Sequence, residues 1–281
     1  MSHHLYDGED HTSKYRLHRP SYPKELFEHI TDYYFHGKRK NEKIPLSLDI
    51  GCGSGQATVD LSPFCERIIG IDVSTDQLAH AISKDNVEYR CNTGEDLSFL
   101  QSNSIDLITA ATALHWLDVE TFLEEAKRVL KPHTGVLAIW TYTFGTLDNP
   151  IADSIYHEFH HGLLFPYWNA KQRLIDDYYE SLVPIFPYKS TLRQYTIECQ
   201  IETTIEHFLG FIETTSACQT FRKQNGEQAY QDMLFTLRHK LIQCYSKTEL
   251  RNDNHATINF DLIKLTLSRP IRLYLMQKNE I

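Results

Sequence analysis

A short glycine-rich segment flanked by acidic residues is the part of the sequence best suited to chemistry. It runs from Leu48 to Ala57, with Asp49 before three glycines at Gly51, Gly53 and Gly55. Glycine lets a backbone turn tightly and approach a ligand closely. Asp72 closes the next apolar segment, where a carboxylate can accept hydrogen bonds from both hydroxyls of a ribose. The segment therefore predicts a site for an adenosine-containing ligand.

Two classes of cofactor compete for this site. A dinucleotide fingerprint requires Gly-x-Gly-x-x-Gly, but Gln56 occupies the position of its third glycine. Asp49 would also repel a pyrophosphate, whereas it favours a ligand with positive charge. S-adenosylmethionine carries a sulfonium and an ammonium group, so the charge pattern favours it. The glycine spacing alone is also compatible with a turn that binds no ligand.

The surrounding sequence alternates between apolar strands and amphipathic helices, as a ligand loop of this kind requires. Strands buried in a parallel sheet appear as continuous apolar runs, and helices show apolar residues three and four positions apart. Up to residue 150 the pattern predicts strands at 46–50, 67–72, 87–91, 105–111 and 135–142, and helices at 24–35, 58–65, 74–84 and 121–130. Later it predicts helices at 151–164, 205–214 and 228–246, and strands at 192–201 and 271–276.

This order predicts an α/β fold. We expect a Rossmann-like, doubly wound, mostly parallel seven-stranded sheet, with helices on both faces and a helical cap inserted after strand five. Residues 1–281 would form a single domain. Its parts would be an N-terminal arm with helices at 1–45, a cofactor-binding core at 46–147, and cap segments plus the last two strands at 148–281.

The stretch from Leu46 to Tyr142 resembles the class I S-adenosylmethionine-dependent methyltransferases. Residues 49–55 are similar to the family's first motif and residues 70–74 to its second-strand motif. Residues 92–97 stand where the family has Asp-Ala-Glu-x-Leu near the adenine, with Thr93 and Gly94 in place of Asp and Ala. The resemblance implies S-adenosylmethionine as cofactor, bound by Asp49, Gly51, Gly53, Gly55, Asp72, Val73, Gln77, Thr93, Gly94, Glu95 and Ala111.

A narrower resemblance links the chain to methyltransferase type 11 and the trans-aconitate methyltransferase-like subgroup. Residues 113–116 are similar to the subgroup's Ala-x-His-Trp, and residues 19–23 to its Arg-Pro-x-Tyr-Pro. Residues 166–168 with Arg173, and residues 214–217, resemble its cap segments. The resemblance implies catalytic roles for His115 and Trp116, and substrate binding by Arg19, Tyr22, Tyr167, Trp168 and Arg173.

The expected acceptor is a small carboxylic acid that is methylated on oxygen. A carboxylate is already ionised at pH 7 and needs a clamp of hydrogen-bond donors rather than a general base. A hydroxyl acceptor would need a base, for which His115 is the candidate. Structural roles are the alternative for each residue: a hydrogen-bonded core histidine, a core tryptophan at Trp116, and solvated surface arginines.

Two other functions compete with this one. His157, Glu158 and His161 match the His-Glu-x-x-His pattern of zinc hydrolases, with Glu180 as a candidate third ligand. The extended metzincin pattern is broken by Leu164 and Tyr167, so we expect no metal. A non-catalytic binding protein with a methyltransferase fold is the second alternative, since fold alone does not imply catalysis.

Composition narrows the partners. The 28 basic and 37 acidic side chains give a net charge of −9, which disfavours nucleic acid; protein acceptors stay open. The sequence contains no run of roughly 18 apolar residues and no basic, apolar start, so we expect no membrane segment or signal peptide and a cytoplasmic location. The six cysteines form no Cys-x-x-Cys pair. No pattern specifies an oligomeric state.

Overall fold

The computed structural model describes residues 22–37, 42–249 and 263–279. Within them the chain forms ten strands: β1 Ile44–Ile50, β2 Cys65–Asp72, β3 Val87–Cys91, β4 Leu107–Ala111, β5 Val136–Tyr142, β6 Thr146–Leu147, β7 Arg193–Ile197, β8 Gln200–Thr204, β9 Lys264–Ser268 and β10 Ile271–Gln277. Seven strands form one sheet in the order β3-β2-β1-β4-β5-β10-β7, and three form a second sheet in the order β6-β9-β8.

The large sheet is parallel from β3 through β5, and only β10 runs against its neighbours β5 and β7. β1 pairs with β2 on one side and with β4 on the other, so the strand order changes direction at β1. In sheets of this type the ligand crevice opens at that point, beyond the carboxyl ends of the strands. The predicted doubly wound, mostly parallel sheet of seven strands is confirmed, and both late strands, β7 and β10, join it.

Nine α-helices accompany the described strands: α1 Lys24–Tyr34, α2 Gln56–Leu61, α3 Thr75–Ala79, α4 Val119–Val129, α5 Pro150–His157, α6 Arg173–Asp176, α7 Ile205–Glu213, α8 Ser216–Asn225 and α9 Glu227–Glu249. Side-chain caps fix the start of two helices near the crevice. The Ser74 hydroxyl accepts from the Gln77 N–H at α3, and the Asp118 carboxylate accepts from the Thr121 N–H at α4.

Successive side chains of each strand point to opposite faces of the sheet, and helices cover both faces. On one face Leu48, Ile50 and Ile108 pack with the Phe122 side chain of α4. On the other face Trp140 and Leu273 pack with apolar residues of α1 and α2. Both faces of the sheet are therefore covered by packed side chains.

A separate hydrophobic cluster forms the cap. It joins α5, α7, α8 and α9 to the small sheet through buried residues such as Tyr156, Phe208, Tyr230 and Leu265. The cap was predicted as helical, and the small sheet is an addition that the sequence pattern did not predict.

Several predicted elements differ from the structure for identifiable reasons. The strand predicted at 192–201 is two strands, because the chain passes from the large to the small sheet at Cys199, where the carbonyl accepts from the Arg269 N–H. The helix predicted at 74–84 ends at Ala79, since the Ile82 N–H turns back to the Ser54 carbonyl. The helix predicted at 58–65 is α2 and a 3₁₀ turn that contains Pro63, and Cys65 begins β2. The helix predicted at 151–164 becomes a π-helix at 158–163.

Across residues 22–37, 42–249 and 263–279, no helix has both the length and the apolar character that a bilayer span requires.

Candidate functional site

A cavity opens at the carboxyl ends of β1, β2 and β4, between the sheet and the cap. The core contributes Gly51, Gly53, Asp72, Val73, Ser74, Gln77, Asn92, Thr93, Gly94, Glu95, Ala111, Thr112, Ala113, His115, Trp116 and Leu117 to its lining. The other side is lined by Tyr22, Tyr142, Thr143, Phe144, Trp168, Gln172, Ile175, Phe211, Thr215 and Ser216.

The glycine loop passes directly along the floor of the cavity. Gly51 and Gly53 have positive φ angles of 64° and 55°, a conformation that disfavours side chains. A Cβ atom at Gly51 would lie 2.7 Å from the Ala113 Cβ, so a side chain there is excluded by packing as well. Gly55 does not line the cavity; it precedes α2 with a φ of 87° and packs against the Tyr89 side chain.

Asp72 lies at the end of β2, next to the loop. One of its carboxylate oxygens accepts from the Gly53 N–H at 2.8 Å, and the other accepts from the Ser74 N–H at 2.9 Å. These bonds fix the carboxylate at the cavity wall. The adjacent Val73 is apolar and 42% exposed at the cavity, which suits contact with the face of a base.

Asp49 lies behind the loop rather than in the cavity. It is fully buried, and its two oxygens accept from the hydroxyls of Thr58 at 2.6 Å and Thr109 at 2.7 Å. Burial raises the pKa of Asp49 to about 6, against the lowering effect of the two hydroxyls. Any effect of Asp49 on a ligand therefore acts through space as charge, not through a contact.

The segment after β3 forms the next part of the wall. Glu95 accepts from the Thr93 hydroxyl and, with its other oxygen, from the Asp118 N–H at 2.8 Å. These bonds tie the segment to the start of α4. Gln77, in helix α3, also lines the cavity. Its side-chain oxygen is buried and accepts no hydrogen bond from a residue that the structure describes. It is available to accept from a ligand.

His115 and Trp116 form a 3₁₀ turn just beyond β4 and line the cavity. His115 is 3% exposed, and its Nδ1 lies 2.8 Å from the hydroxyl of fully buried Tyr179. The tautomer of His115 decides which of the two groups donates. Thr112, at the start of this turn, has a φ of 52°, which is rare for a β-branched residue. The turn is thus held in one conformation at the ligand edge of the sheet.

The cap supplies an aromatic wall opposite the turn. Trp168 lines the cavity and donates from Nε1 to the His160 carbonyl at 3.2 Å. The Phe144 ring lies 4.9 Å from the Trp168 ring and 3.3 Å from the His160 ring, between centroids. Burial lowers the pKa of His160 to about 2, so this stack is neutral. The stack closes one side of the cavity with apolar surface.

Of the five predicted substrate-binding residues, two line the cavity, two do not, and one lies outside the described residues. Tyr22 and Trp168 line the cavity, and the Tyr22 N–H donates to Asp60 at 3.0 Å. Tyr167 instead packs on Phe221 and accepts from the Asn225 amide, outside the cavity. Arg173 is exposed and does not line the cavity. Arg19 lies outside the described residues.

Sequence reasoning missed several cavity residues, because no motif marks the cap segments that carry them. The residues Gln172, Phe144 and Phe211 come from three separate segments, and Tyr179 reaches His115 from a fourth. Gln172 is buried, and its side chain faces the Asp176 carboxylate, whose pKa burial raises and the interaction with Gln172 lowers. Thr215 and Ser216 are in the segment whose resemblance to the subgroup was the only available signal.

The His-Glu-x-x-His pattern forms no metal site in the described part of the chain. His157 and His161 are exposed, and their rings stack at 5.4 Å outside the cavity. Glu180 lies 3.5 Å from the Arg272 Nε instead of joining the histidines. No group of three metal-ligating side chains occurs within 22–37, 42–249 and 263–279.

Comparison with known proteins agrees with this geometry. A model of the methyltransferase domain family matches residues 48–139. A Dictyostelium discoideum protein named as a methyltransferase is 34% identical over 240 residues, which cover 85% of this chain and 86% of that protein. The chain belongs to the class I S-adenosylmethionine-dependent methyltransferases.

More distant relatives of the methyltransferase extend the comparison. CRG1 of Saccharomyces cerevisiae, named as an S-adenosylmethionine-dependent methyltransferase, is 32% identical over 149 residues, covering 50% of this chain and 49% of CRG1. A solved structure from Anaeromyxobacter dehalogenans, described as a type II methyltransferase, superposes with a TM-score of 0.74 at 27% identity. It covers 94% of this chain and 99% of its own.

S-adenosylmethionine is the cofactor of this methyltransferase, and the cavity fits it. Among the described residues that line the cavity there are two carboxylates, Asp72 and Glu95, and no lysine or arginine, which favours a cationic cofactor. The Asp72 carboxylate lines the cavity as a hydrogen-bond acceptor, and the buried Gln77 oxygen accepts from no residue that the structure describes. A pyrophosphate would meet Asp72 at the loop, because the Gly53 N–H is already used by that carboxylate.

Proposed function

We propose that this methyltransferase methylates a carboxylate oxygen of a small organic acid. The observation that carries the proposal is the closure of the cavity by the chain's own cap. Beyond the glycine loop, the cavity is walled by Phe144, Trp168 and Phe211 and by the His115–Trp116 turn. A site enclosed in this way suits a small acceptor better than a segment of a macromolecule.

The core residues would hold the cofactor by its adenosine end. Asp72 would accept from the ribose, Val73 would cover the base, and Gly51 with Gly53 would let the backbone pass close to it. When bound, S-adenosylmethionine supplies a methyl carbon whose bond to sulfur breaks as an acceptor oxygen attacks, with the electron pair kept by sulfur. Alignment and exclusion of water are then the main tasks of the protein.

The acceptor end favours a carboxylate because side chains with N–H donors line it. Gln172, whose side chain also faces the Asp176 carboxylate, and Trp116 both line the cavity and carry N–H donors. A carboxylate near pKa 4 is ionised at neutral pH and becomes a neutral ester without losing a proton. His115, held by Tyr179, would orient the acid by a hydrogen bond rather than remove a proton.

A hydroxyl acceptor is the second candidate, favoured by the His115–Tyr179 pair. A hydroxyl must lose its proton on methylation, and His115, which lines the cavity, would accept it. The two candidates differ in their products, because an ester is cleaved by base and an ether is not.

The test is a screen of small organic acids, alcohols and phenols with S-adenosylmethionine labelled in its methyl group. The proposal expects label in acids, released as volatile methanol by mild alkali. Label that survives alkali in a hydroxylated acceptor would show the second candidate instead. Binding of the cofactor with no transfer to any compound in the screen would favour a non-catalytic binding protein. Asp72→Asn protein, run in parallel, should transfer little label.

A further inference from the structure

A buried tyrosine holds the histidine of the turn beyond β4. Tyr179 is fully buried, and its hydroxyl lies 2.8 Å from the His115 Nδ1. His115 lines the cavity and Tyr179 does not, so Tyr179 would act on a ligand through His115. The imidazole also packs on two rings, with its centroid 4.7 Å from that of Trp116 and 6.1 Å from that of Tyr179. The hydrogen bond and these ring contacts together fix the orientation of the imidazole.

An unusual backbone conformation brings Tyr179 to this position. Tyr178 and Tyr179 have positive φ angles of 55° and 66°, which are rare and unfavourable for bulky side chains. The Tyr179 N–H donates to the Leu174 carbonyl at 2.8 Å, and the Tyr178 carbonyl accepts from the Tyr274 hydroxyl at 2.6 Å. Such a conformation persists only where the surrounding structure holds it. The turn thus presents the Tyr179 hydroxyl to His115 in a fixed position.

The groups around the Tyr179 oxygen indicate that its hydroxyl is the donor of this hydrogen bond. Burial raises the pKa of Tyr179, while the Thr141 hydroxyl and the backbone N–H groups of His115 and Leu114 lower it. An N–H group can only donate, so the hydroxyl hydrogen cannot be directed at these two backbone groups. A neutral imidazole nitrogen binds a proton more readily than a phenol oxygen does, which favours donation from Tyr179 to Nδ1. With Nδ1 as an acceptor, a neutral His115 carries its proton on Nε2.

We propose that Tyr179 is a positioning residue that keeps the proton of His115 on Nε2, so that His115 meets the methyl acceptor as a hydrogen-bond donor. This inference rests on the proposed function, in which His115 orients the acceptor. A nitrogen that already carries a proton cannot take another from the acceptor. Tyr179 therefore assigns His115 to orientation of the acceptor and not to proton removal.

The first test is NMR of protein with nitrogen-15 in its histidine rings, at about pH 8, where an ordinary histidine is neutral. The signals of His115 are those that His115→Leu removes. Wild-type His115 should carry its proton on Nε2. Tyr179→Phe keeps the ring and removes the hydroxyl, so the Nδ1 signal should move towards that of a nitrogen without a hydrogen bond. A wild-type proton on Nδ1, or ring signals that Tyr179→Phe leaves unchanged, would overturn the proposal.

The second test is a double-mutant cycle on kcat/KM, measured with labelled S-adenosylmethionine and the acceptor found in the screen. Tyr179→Phe should lower kcat/KM about tenfold, as the loss of one buried hydrogen bond does. In the His115→Leu background the same substitution should have no further effect, because Tyr179 acts through His115. Equal losses in both backgrounds would show a purely structural role for Tyr179 and overturn the proposal.

Tyr178→Phe is the matched control. It removes a hydroxyl from the same turn, one that lies 3.2 Å from the Thr143 Oγ1 and not at His115. The ring signals of His115 should stay unchanged, and kcat/KM should stay within about twofold of wild type. Equal effects of Tyr178→Phe and Tyr179→Phe on His115 would attribute them to the turn and overturn the proposal. Calorimetry with S-adenosylhomocysteine checks the cofactor site in each variant, and if Tyr179→Phe does not fold, the wild-type tautomer decides.

The two proposals can fail separately, because the NMR test needs no acceptor. If Tyr179 keeps the proton on Nε2 but the protein methylates no acid, the proposed reaction is overturned and the positioning of His115 stands. If acids are methylated while His115 carries its proton on Nδ1, the role of Tyr179 is overturned and the reaction stands.

Discussion

The two aspartates around the glycine loop have the same residue type but opposite environments. Asp72 is at the cavity wall with both oxygens accepting from backbone N–H groups, while Asp49 is enclosed by two threonine hydroxyls. The sequence positions of Asp49 and Asp72 predicted that both residues bind the cofactor. They could not show which one reaches the ligand, because that depends on how β1 and the loop place each side chain.

Loss of the Asp72 carboxylate should weaken cofactor binding strongly. The Asp72→Asn side chain has one acceptor oxygen instead of two, so it cannot accept from both the Gly53 and the Ser74 N–H groups. It also lacks the negative charge that strengthens hydrogen bonds from ribose hydroxyls. Charge-assisted hydrogen bonds contribute about 1.5–3 kcal/mol each, so the Kd for S-adenosylmethionine should rise roughly 100-fold. Calorimetry measures it. The control is Asp85→Asn, which removes an exposed carboxylate before β3; equal Kd values for the two variants would contradict the assignment.

Asp49 should make the stability of the cofactor-free protein depend on pH. Burial raises the pKa of Asp49 to about 6, above its value in an unfolded chain, so the folded state binds the proton more tightly. Its contribution to stability is greatest below about pH 4, falls as the pH rises to about 6, and is constant above, a change of at most about 3 kcal/mol.

The measurement for Asp49 is denaturant unfolding at pH 4.5 and pH 7 for wild type and Asp49→Asn. Asn keeps the shape but cannot ionise, so the variant should gain stability relative to wild type between the two pH values. Asp85→Asn again serves as the exposed control. A difference between wild type and Asp49→Asn that is equal at both pH values would contradict the buried ionisable state.

In the cap segment 167–173, the sequence did not show which side chains face the cavity. Trp168 and Gln172 line the cavity, whereas Tyr167 and Arg173, each one position away, face elsewhere. The segment is built of 3₁₀ turns and the four-residue helix α6. Neither a helical nor a strand period therefore predicts which of its side chains face the cavity. Resemblance located the segment but could not choose between adjacent side chains.

Changes in this cap segment should affect the acceptor and not the cofactor. Trp168→Ala removes an aromatic wall of the cavity and should raise the KM for the acceptor about 10-fold or more, with little change in S-adenosylmethionine affinity. Tyr167→Phe, which removes only a hydroxyl bonded to Asn225 outside the cavity, is the matched control. Steady-state kinetics with the acceptor found in the screen measures both. If Tyr167→Phe raised the KM for the acceptor and Trp168→Ala did not, the acceptor would not bind against Trp168.

The strands of the large sheet were predictable, and those of the small sheet were not. β1, β2, β4 and β5 are buried on both faces and appear in the sequence as apolar runs. The small sheet joins a two-residue strand at Thr146–Leu147 to β8 and β9, which contain charged residues and lie far apart in the chain. Its pairing comes from tertiary contacts that no local pattern encodes.

At the scale of the whole molecule, the cap and the core are joined where β9 of the small sheet leads into β10 of the large sheet. Arg269 lies in this connection, and the Cys199 carbonyl that accepts its N–H lies in the corresponding connection between β7 and β8. The chain therefore passes between the large and the small sheet at two neighbouring connections. This arrangement places the cap segments against the ligand edge of the core.

Metal removal should not change methyl transfer. The only metal-binding pattern in the sequence places His157 and His161 on the exposed side of the cap, away from the cavity. Dialysis against a chelator and the double substitution His157→Ala/His161→Ala should each leave kcat/KM within about twofold of wild type, as expected for exposed residues. If kcat/KM fell strongly and added zinc restored it, methyl transfer would depend on a metal bound by the histidine pair.

The most direct test of the account is a crystal structure with S-adenosylhomocysteine. We expect the nucleoside in the cavity between the glycine loop and the segment after β3, with its ribose hydroxyls within hydrogen-bond distance of Asp72. A cavity left empty at saturating ligand, or one that takes up a nicotinamide dinucleotide in its place, would contradict the account.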